Sequence, residues 1–124
     1  EQNMLDGYKK MKFCWQQIPS PVISELLCLT KMDGVVIDTE HASFNNETIY
    51  NCIQVITSLG KECFVRLMVP TKSSIRMCLD AGATGLIFST VENTRQCQKI
   101  MKSCKFPEYG GRRGLGLVRS NSWG

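Results

Sequence analysis

The stretch Gly34-Val35-Val36-Ile37-Asp38-Thr39-Glu40-His41 decides the fold, because four residues without a polar side chain run directly into four polar ones. An apolar run with no alternation reads as a strand buried on both faces, the pattern of a parallel sheet. The change at Asp38 marks the strand's carboxyl end, where parallel α/β proteins gather their reactive side chains. His41 is the only histidine of the chain, so no other imidazole can act as a neutral-pH acid or base.

Working outward, comparable runs recur at Phe13-Cys14-Trp15, Cys63-Phe64-Val65-Arg66-Leu67 and Gly85-Leu86-Ile87-Phe88-Ser89. Segments of helical periodicity separate them. Ser20-Pro21 announces a first helix through Val22, Leu26, Leu27 and Leu29. The spacing of Ile49, Cys52, Ile53 and Ile56 predicts a second over 46–58, with Gly60 as its stop. A third follows Pro70-Thr71 through Ile75, Cys78 and Leu79 to Ala81-Gly82. A fourth runs over 92–104 with Cys97, Ile100 and Met101 facing inward.

Alternating strands and helices point to a parallel sheet. Residues 1–124 read as a single partial domain, with an N-terminal segment over 1–11 and a glycine- and arginine-rich loop over 106–124. A complete (β/α)₈ barrel takes about 250 residues. The expected fold is therefore α/β of the (β/α)₈ TIM-barrel type, represented by its first four βα units. A doubly wound open sheet is the competing architecture, but no glycine triplet of phosphate-loop spacing follows a strand.

With 43% hydrophobic and 21% charged residues, the chain has the makeup of a soluble globular domain with a real core. Its net charge of +4 comes from 15 lysines and arginines spread along the chain. Without a clustered basic stripe, nucleic acid is not an expected partner. Seven cysteines, an odd number with no CxxC pair, fit free thiols of a reducing compartment. No run approaches the roughly 20 apolar residues that cross a bilayer, and no signal segment opens the chain. A cytoplasmic protein is expected, in which Asn46-Glu47-Thr48 has no role as a glycosylation sequon.

Several residues are candidates for chemistry. A carboxylate of Asp38 or Glu40 bonded to one nitrogen of His41 would set its tautomer and raise the basicity of the other nitrogen. Arg66, inside an apolar strand, needs an anionic partner; a protein carboxylate and a substrate are both open. Asp80 ends a helix, where the macrodipole disfavours it, and a local hydrogen bond is the default account. Gly111-Arg112-Arg113-Gly114-Leu115-Gly116 offers backbone donors to an anion. Trp15 and the methionines read as core.

Four motifs in order, Asp38-Thr39-Glu40-His41-Ala42, Phe64-Val65-Arg66, Leu79-Asp80-Ala81-Gly82-Ala83 and Phe106-Pro107 with Arg113-Gly114-Leu115-Gly116, resemble those of the HpcH/HpaI aldolases. The resemblance runs from about Lys12 to Trp123. It implies a (β/α)₈ barrel and a metal-dependent class II pyruvate aldolase, which cleaves a keto-deoxy sugar acid or hydroxy-keto diacid to pyruvate and an aldehyde. By position, His41 resembles the general base, held near Asp38, and Arg66 the arginine that binds the pyruvate carboxylate. Asp80 resembles an aspartate that approaches a neighbouring subunit's site, and Trp15 and Arg113 are carried as substrate contacts with Arg66. The family's Mg²⁺, Mn²⁺ or Co²⁺ ligands lie on later strands, so none is expected in this chain. A homo-oligomer or a complementary C-terminal half is the expected partner. Two readings stay open: a lyase that is incomplete or inactive as this chain alone, and a non-catalytic half-barrel that binds a carboxylate or a protein.

Overall fold

The computed structural model describes residues 10–124. Most of the N-terminal segment, 1–9, lies outside the described residues. Four strands, β1 (Phe13–Gln16), β2 (Gly34–Asp38), β3 (Glu62–Leu67) and β4 (Gly85–Phe88), form one parallel sheet in the order β1-β2-β3-β4. Helices α1 (Pro21–Cys28), α2 (Asn46–Ser58), α3 (Lys72–Ala81) and α4 (Thr94–Cys104) alternate with them. Neighbours in sequence are neighbours in the sheet, which is the single winding of a barrel half and not the reversal of a doubly wound sheet.

The register sorts the strand residues onto two faces. Cys14, Val35, Ile37, Cys63, Val65 and Leu67 meet the helices; except for half-buried Cys14 they are buried. Ile49, Cys52, Ile53 and Ile56 of α2 complete that layer with Ile75 and Cys78 of α3. Burial of such side chains contributes roughly 1.5–3 kcal/mol each and is the main force holding sheet to helices. The other face carries Phe13, Trp15, Gly34, Val36, Asp38, Phe64, Arg66, Gly85 and Ile87 in paired register. It is the concave side and bears the site.

Glycine decides how closely that face packs. A Cβ at Gly34 would strike the Glu62 carbonyl and the Phe13 ring, and one at Gly85 would come within 2.5 Å of the Phe64 ring. The two rings lie edge to face across the sheet, their centroids 5.3 Å apart.

The helices start where their caps predict. Asn45 accepts from the Thr48 amide, and Thr71 and Ser74 form a capping box on α3. Gly82, at φ 101°, ends α3 in the left-handed conformation. Past α4 the chain has only two 3₁₀ turns, Pro107–Tyr109 and Arg119–Asn121. Arg119 ties this strap to the helix ends through the carbonyls of Ala81 and Gln54 and the Ser58 hydroxyl.

Burial departs from the apolar pattern on α1, and two expectations, on α4 and for Trp15 with the methionines, need correction. Val22, Leu26 and Leu29 point outward, while Ser24 and Cys28 face the core and Leu27 is half-buried. On α4 only Ile100 is buried; Cys97 and Met101 are exposed. Trp15 is 51% exposed, and Met11, Met68 and Met101 are exposed as well. The physical reason is shared: α1 and α4 flank the two edge strands, and among the described residues each has a packing partner on one side only. Sequence periodicity marks an apolar stripe but does not say what covers it.

All seven cysteines are free, four of them buried. No helix of the described residues is long and apolar enough to cross a membrane.

Candidate active site

Parallel register puts Asp38, the last residue of β2, beside Arg66 of β3. The Arg66 guanidinium donates twice to the carboxylate, Nε to Oδ1 at 3.0 Å and Nη2 to Oδ2 at 2.7 Å. This forked geometry is the strong form of the ion pair and aligns the guanidinium plane. Asp38 is completely buried, and Oδ1 also accepts the backbone amides of Glu40 and His41 while Oδ2 accepts Gln17 Nε2. Hydrogen bonds from Arg66 first, and those from Gln17 and the two amides, hold the Asp38 carboxyl far below the usual carboxylate range against the opposing effect of burial. Arg66 is correspondingly held protonated.

Thr39 closes the strand end, both its amide and its hydroxyl donating to the Arg66 carbonyl. The chain then turns so that Glu40 reaches Arg66 as well, Oε2 lying 3.3 Å from Nε. That Oε2 is buried and has no hydrogen-bond partner among the described residues, since Nε is already directed at Asp38. His41 projects outward with its side chain 64% exposed, Nε2 3.9 Å from Glu40 Oε1. The expected carboxylate–imidazole hydrogen bond is therefore corrected: Asp38 grips the backbone amide of His41, not its ring. Asp38 shapes the loop that carries the imidazole, and Glu40 is the ring's electrostatic neighbour.

Trp15 lies under Arg66, the guanidinium carbon 4.8 Å from the ring centroid. Trp15 is thus exposed and packed on Arg66, in place of the expected core position. Two glutamines gave no sequence signal. Gln17 holds Asp38, and buried Gln16 pins the β1–α1 turn by donating to the carbonyls of Ile18 and Ser20 and accepting from Ser24. A run of Gln16-Gln17 is ordinary in sequence, and only the fold shows that alternate faces put one in the helix layer and the other beside the carboxylate.

Asp80 and Arg113 are not brought to this cluster. Helix α3 runs against the strands, so its last turn lies at their amino ends, opposite Asp38. There Arg113 Nη2 donates to Asp80 at 2.9 Å and stacks its guanidinium 4.5 Å from the Phe106 centroid. The expected local hydrogen bond of Asp80 is corrected: its partner is Arg113, 33 residues further along the chain.

Among the described residues no group of three or more His, Cys, Asp or Glu is placed to hold a metal. Asp38 has both oxygens committed to five donor groups from four residues, so it does not fit a divalent ion. What the cluster can do is bind an anion, since Nη1 of Arg66 has no partner among the described residues, and move a proton through an exposed imidazole beside it.

The chain matches the family model "HpcH/HpaI aldolase/citrate lyase" over residues 12–122. It is 27% identical over 111 residues to a 2-keto-3-deoxy-L-rhamnonate aldolase of Klebsiella pneumoniae, covering 89% of this chain and 42% of that protein. The solved structure of an HpcH/HpaI aldolase/citrate lyase family protein from Burkholderia cenocepacia superposes with a TM-score of 0.85 at 26% identity, over 95% of this chain and 48% of that one. Macrophomate synthase superposes with a TM-score of 0.78 at 27% identity, over 86% and 36%. The chain thus spans less than half the length of these relatives.

Proposed function

Because this chain belongs to the HpcH/HpaI aldolase/citrate lyase family, we propose that it carries the carboxylate-binding and proton-handling half of a pyruvate-type aldolase site. The substrate class is a small 2-keto acid with a hydroxyl two carbons beyond its keto group, as in a keto-deoxy sugar acid. The observation that carries this reading is the Asp38–Arg66 fork at the carboxyl ends of adjacent parallel strands, with His41 alongside.

Each residue's part follows from its surroundings. Asp38 is too acidic and too fully bonded to serve as a base, so it is a positioning residue that fixes Arg66 and the His41 loop. Arg66 presents Nη1 to the substrate carboxylate and places positive charge where negative charge develops on the keto oxygen. His41 takes the proton from the aldol hydroxyl. As that carbonyl forms, the carbon–carbon bond breaks and its electron pair passes into the pyruvate enolate, which is then protonated at its terminal carbon. Trp15 occupies one face of the guanidinium and leaves its edge for the ligand.

A divalent ion, Mg²⁺, Mn²⁺ or Co²⁺, would draw its ligands from outside the described residues. The same division of labour makes a second half-barrel, from a complementary chain or another copy, the proposed partner. Any part that Asp80 and Arg113 take lies at a neighbouring subunit's site, because within this chain they pair at the far end of the sheet.

The test is exchange of pyruvate methyl protons into heavy water, followed by NMR with Mg²⁺ present, in the chain and in its His41→Gln and Arg66→Lys variants. Exchange above the metal-only blank is expected to fall about 10²-fold or more in both variants. Exchange equal in all three overturns the assignment of these residues. If pyruvate binds in an Arg66-dependent manner without exchange, the chain is a non-catalytic carboxylate-binding module.

A further inference from the structure

Five of the lysines and arginines, dispersed in sequence, lie near one another in space. A cavity of about 550 Å³ lies between the start of α3 and one face of α4, lined among others by Lys72, Lys99, Lys102 and Arg112. A second, of about 410 Å³, adjoins it through Lys99, Lys102 and Arg112 and adds Arg95. Neither is lined by an aspartate or glutamate, and none of the five cations is in an ion pair among the described residues. Lys99 and Lys102 stand three apart on one helix face, a like-charge spacing that destabilises the helix unless something offsets it.

The groove is built by the fold. The chain after α4 folds back so that the Arg112 amide bonds the Lys102 carbonyl, which sets an arginine from the strap against the lysines of the helix. It shares no residue with the Asp38–Arg66 cluster. It also differs from the flank of α4 that bears Cys97 and Met101, where α3 contributes nothing. Its walls are α4, the strap residue Arg112 and the segment that leads into α3.

We propose that this groove binds a small oligoanionic phosphate compound, the class that carries several phosphate charges on one compact molecule. Four cations line each of the two adjoining cavities, three of them shared, which outnumbers the charge of a single orthophosphate, and the first cavity has the volume of a small-molecule site. The guanidinium of Arg112 matches phosphate geometry, with the lysines as point charges around it. A nucleic-acid backbone would need its cations along an open stripe, whereas Lys72, Lys99, Lys102 and Arg112 line one recess between the start of α3 and α4.

The experiment is calorimetric titration of the full chain with tripolyphosphate at about 150 mM salt, where Debye screening suppresses loose surface attraction. Saturable binding is expected, weakened at least about tenfold in Lys99→Gln/Arg112→Gln and unchanged in Lys31→Gln, which alters an exposed lysine elsewhere. Circular dichroism checks that each variant keeps its helices, and Lys72→Gln replaces the double variant if that one unfolds. No saturable binding overturns the proposal, as does equal weakening by Lys31→Gln. Tighter binding of a duplex oligonucleotide than of tripolyphosphate, compared per phosphate, also overturns it and makes the groove a nucleic-acid contact.

Discussion

Asp38 shows how a residue can be essential to a site without doing its chemistry. With five donor groups on one buried carboxylate, its charged form is strongly favoured in the folded chain. The folded pKa lies below the unfolded value of about 3.9, so its contribution is complete above that value and is lost as pH falls toward the folded one. Urea midpoints should therefore hold from pH 7 to about 5 and decline below it, whereas Asp38→Asn should flatten that decline. Asp38→Ala should cost about 2–3 kcal/mol in the same assay, since several donors lose a charged acceptor together. The site's polar composition was legible from Asp38-Thr39-Glu40-His41 and Arg66, because residue type and strand-end position were enough. Gln17 and the outward turn of His41 were not, because they depend on which way the loop leaves β2.

Among the elements, β2 and α2 follow their sequence patterns closely, and the glycines of the concave face set the tolerance of the sheet. Gly34→Ala should destabilise the chain by about 1–3 kcal/mol, the cost of overpacking where a Cβ meets the Glu62 carbonyl and the Phe13 ring. Thermal denaturation would measure it, and Gly114→Ala, in open space, is the matched control. The cysteines between sheet and helices give a second expectation. Burial pushes the Cys78 thiol up to about 12 and that of Cys63 higher still. Raised thiols stabilise the fold below the unfolded value of about 8.5, and that contribution disappears as pH rises toward the folded values. Stability should fall across this alkaline range. A maleimide titration at pH 8 should modify exposed Cys97 first and leave Cys63 and Cys78 unlabelled until denaturant is added.

Among the described residues, the four βα units leave two open sheet edges and apolar side chains on both flanks. Val22, Leu26 and Leu29 stand out from α1 and Met101 from α4, while Trp15 and the half-buried Phe13, Phe64 and Ile87 line the concave face. Such a surface favours association. Light scattering at micromolar concentration is expected to give a mass above that of one 14.0 kDa chain. Leu26→Glu/Leu29→Glu should shift it toward the monomer with the helix content kept. A monodisperse wild-type monomer would contradict the expected partnership.

Local chemistry determined much of this protein by itself. Periodicity placed the elements, caps and Gly82 placed helix ends, and the strand-terminal polar cluster marked the site, because each depends on neighbours within a few residues. Tertiary structure alone decided which apolar stripes face the core, how Gln17, Trp15 and Glu40 surround the Asp38–Arg66 pair, why Asp80 and Arg113 meet at the opposite end, and that five dispersed cations line two adjoining cavities. Those outcomes rest on contacts between residues far apart in the chain, and no local pattern encodes them.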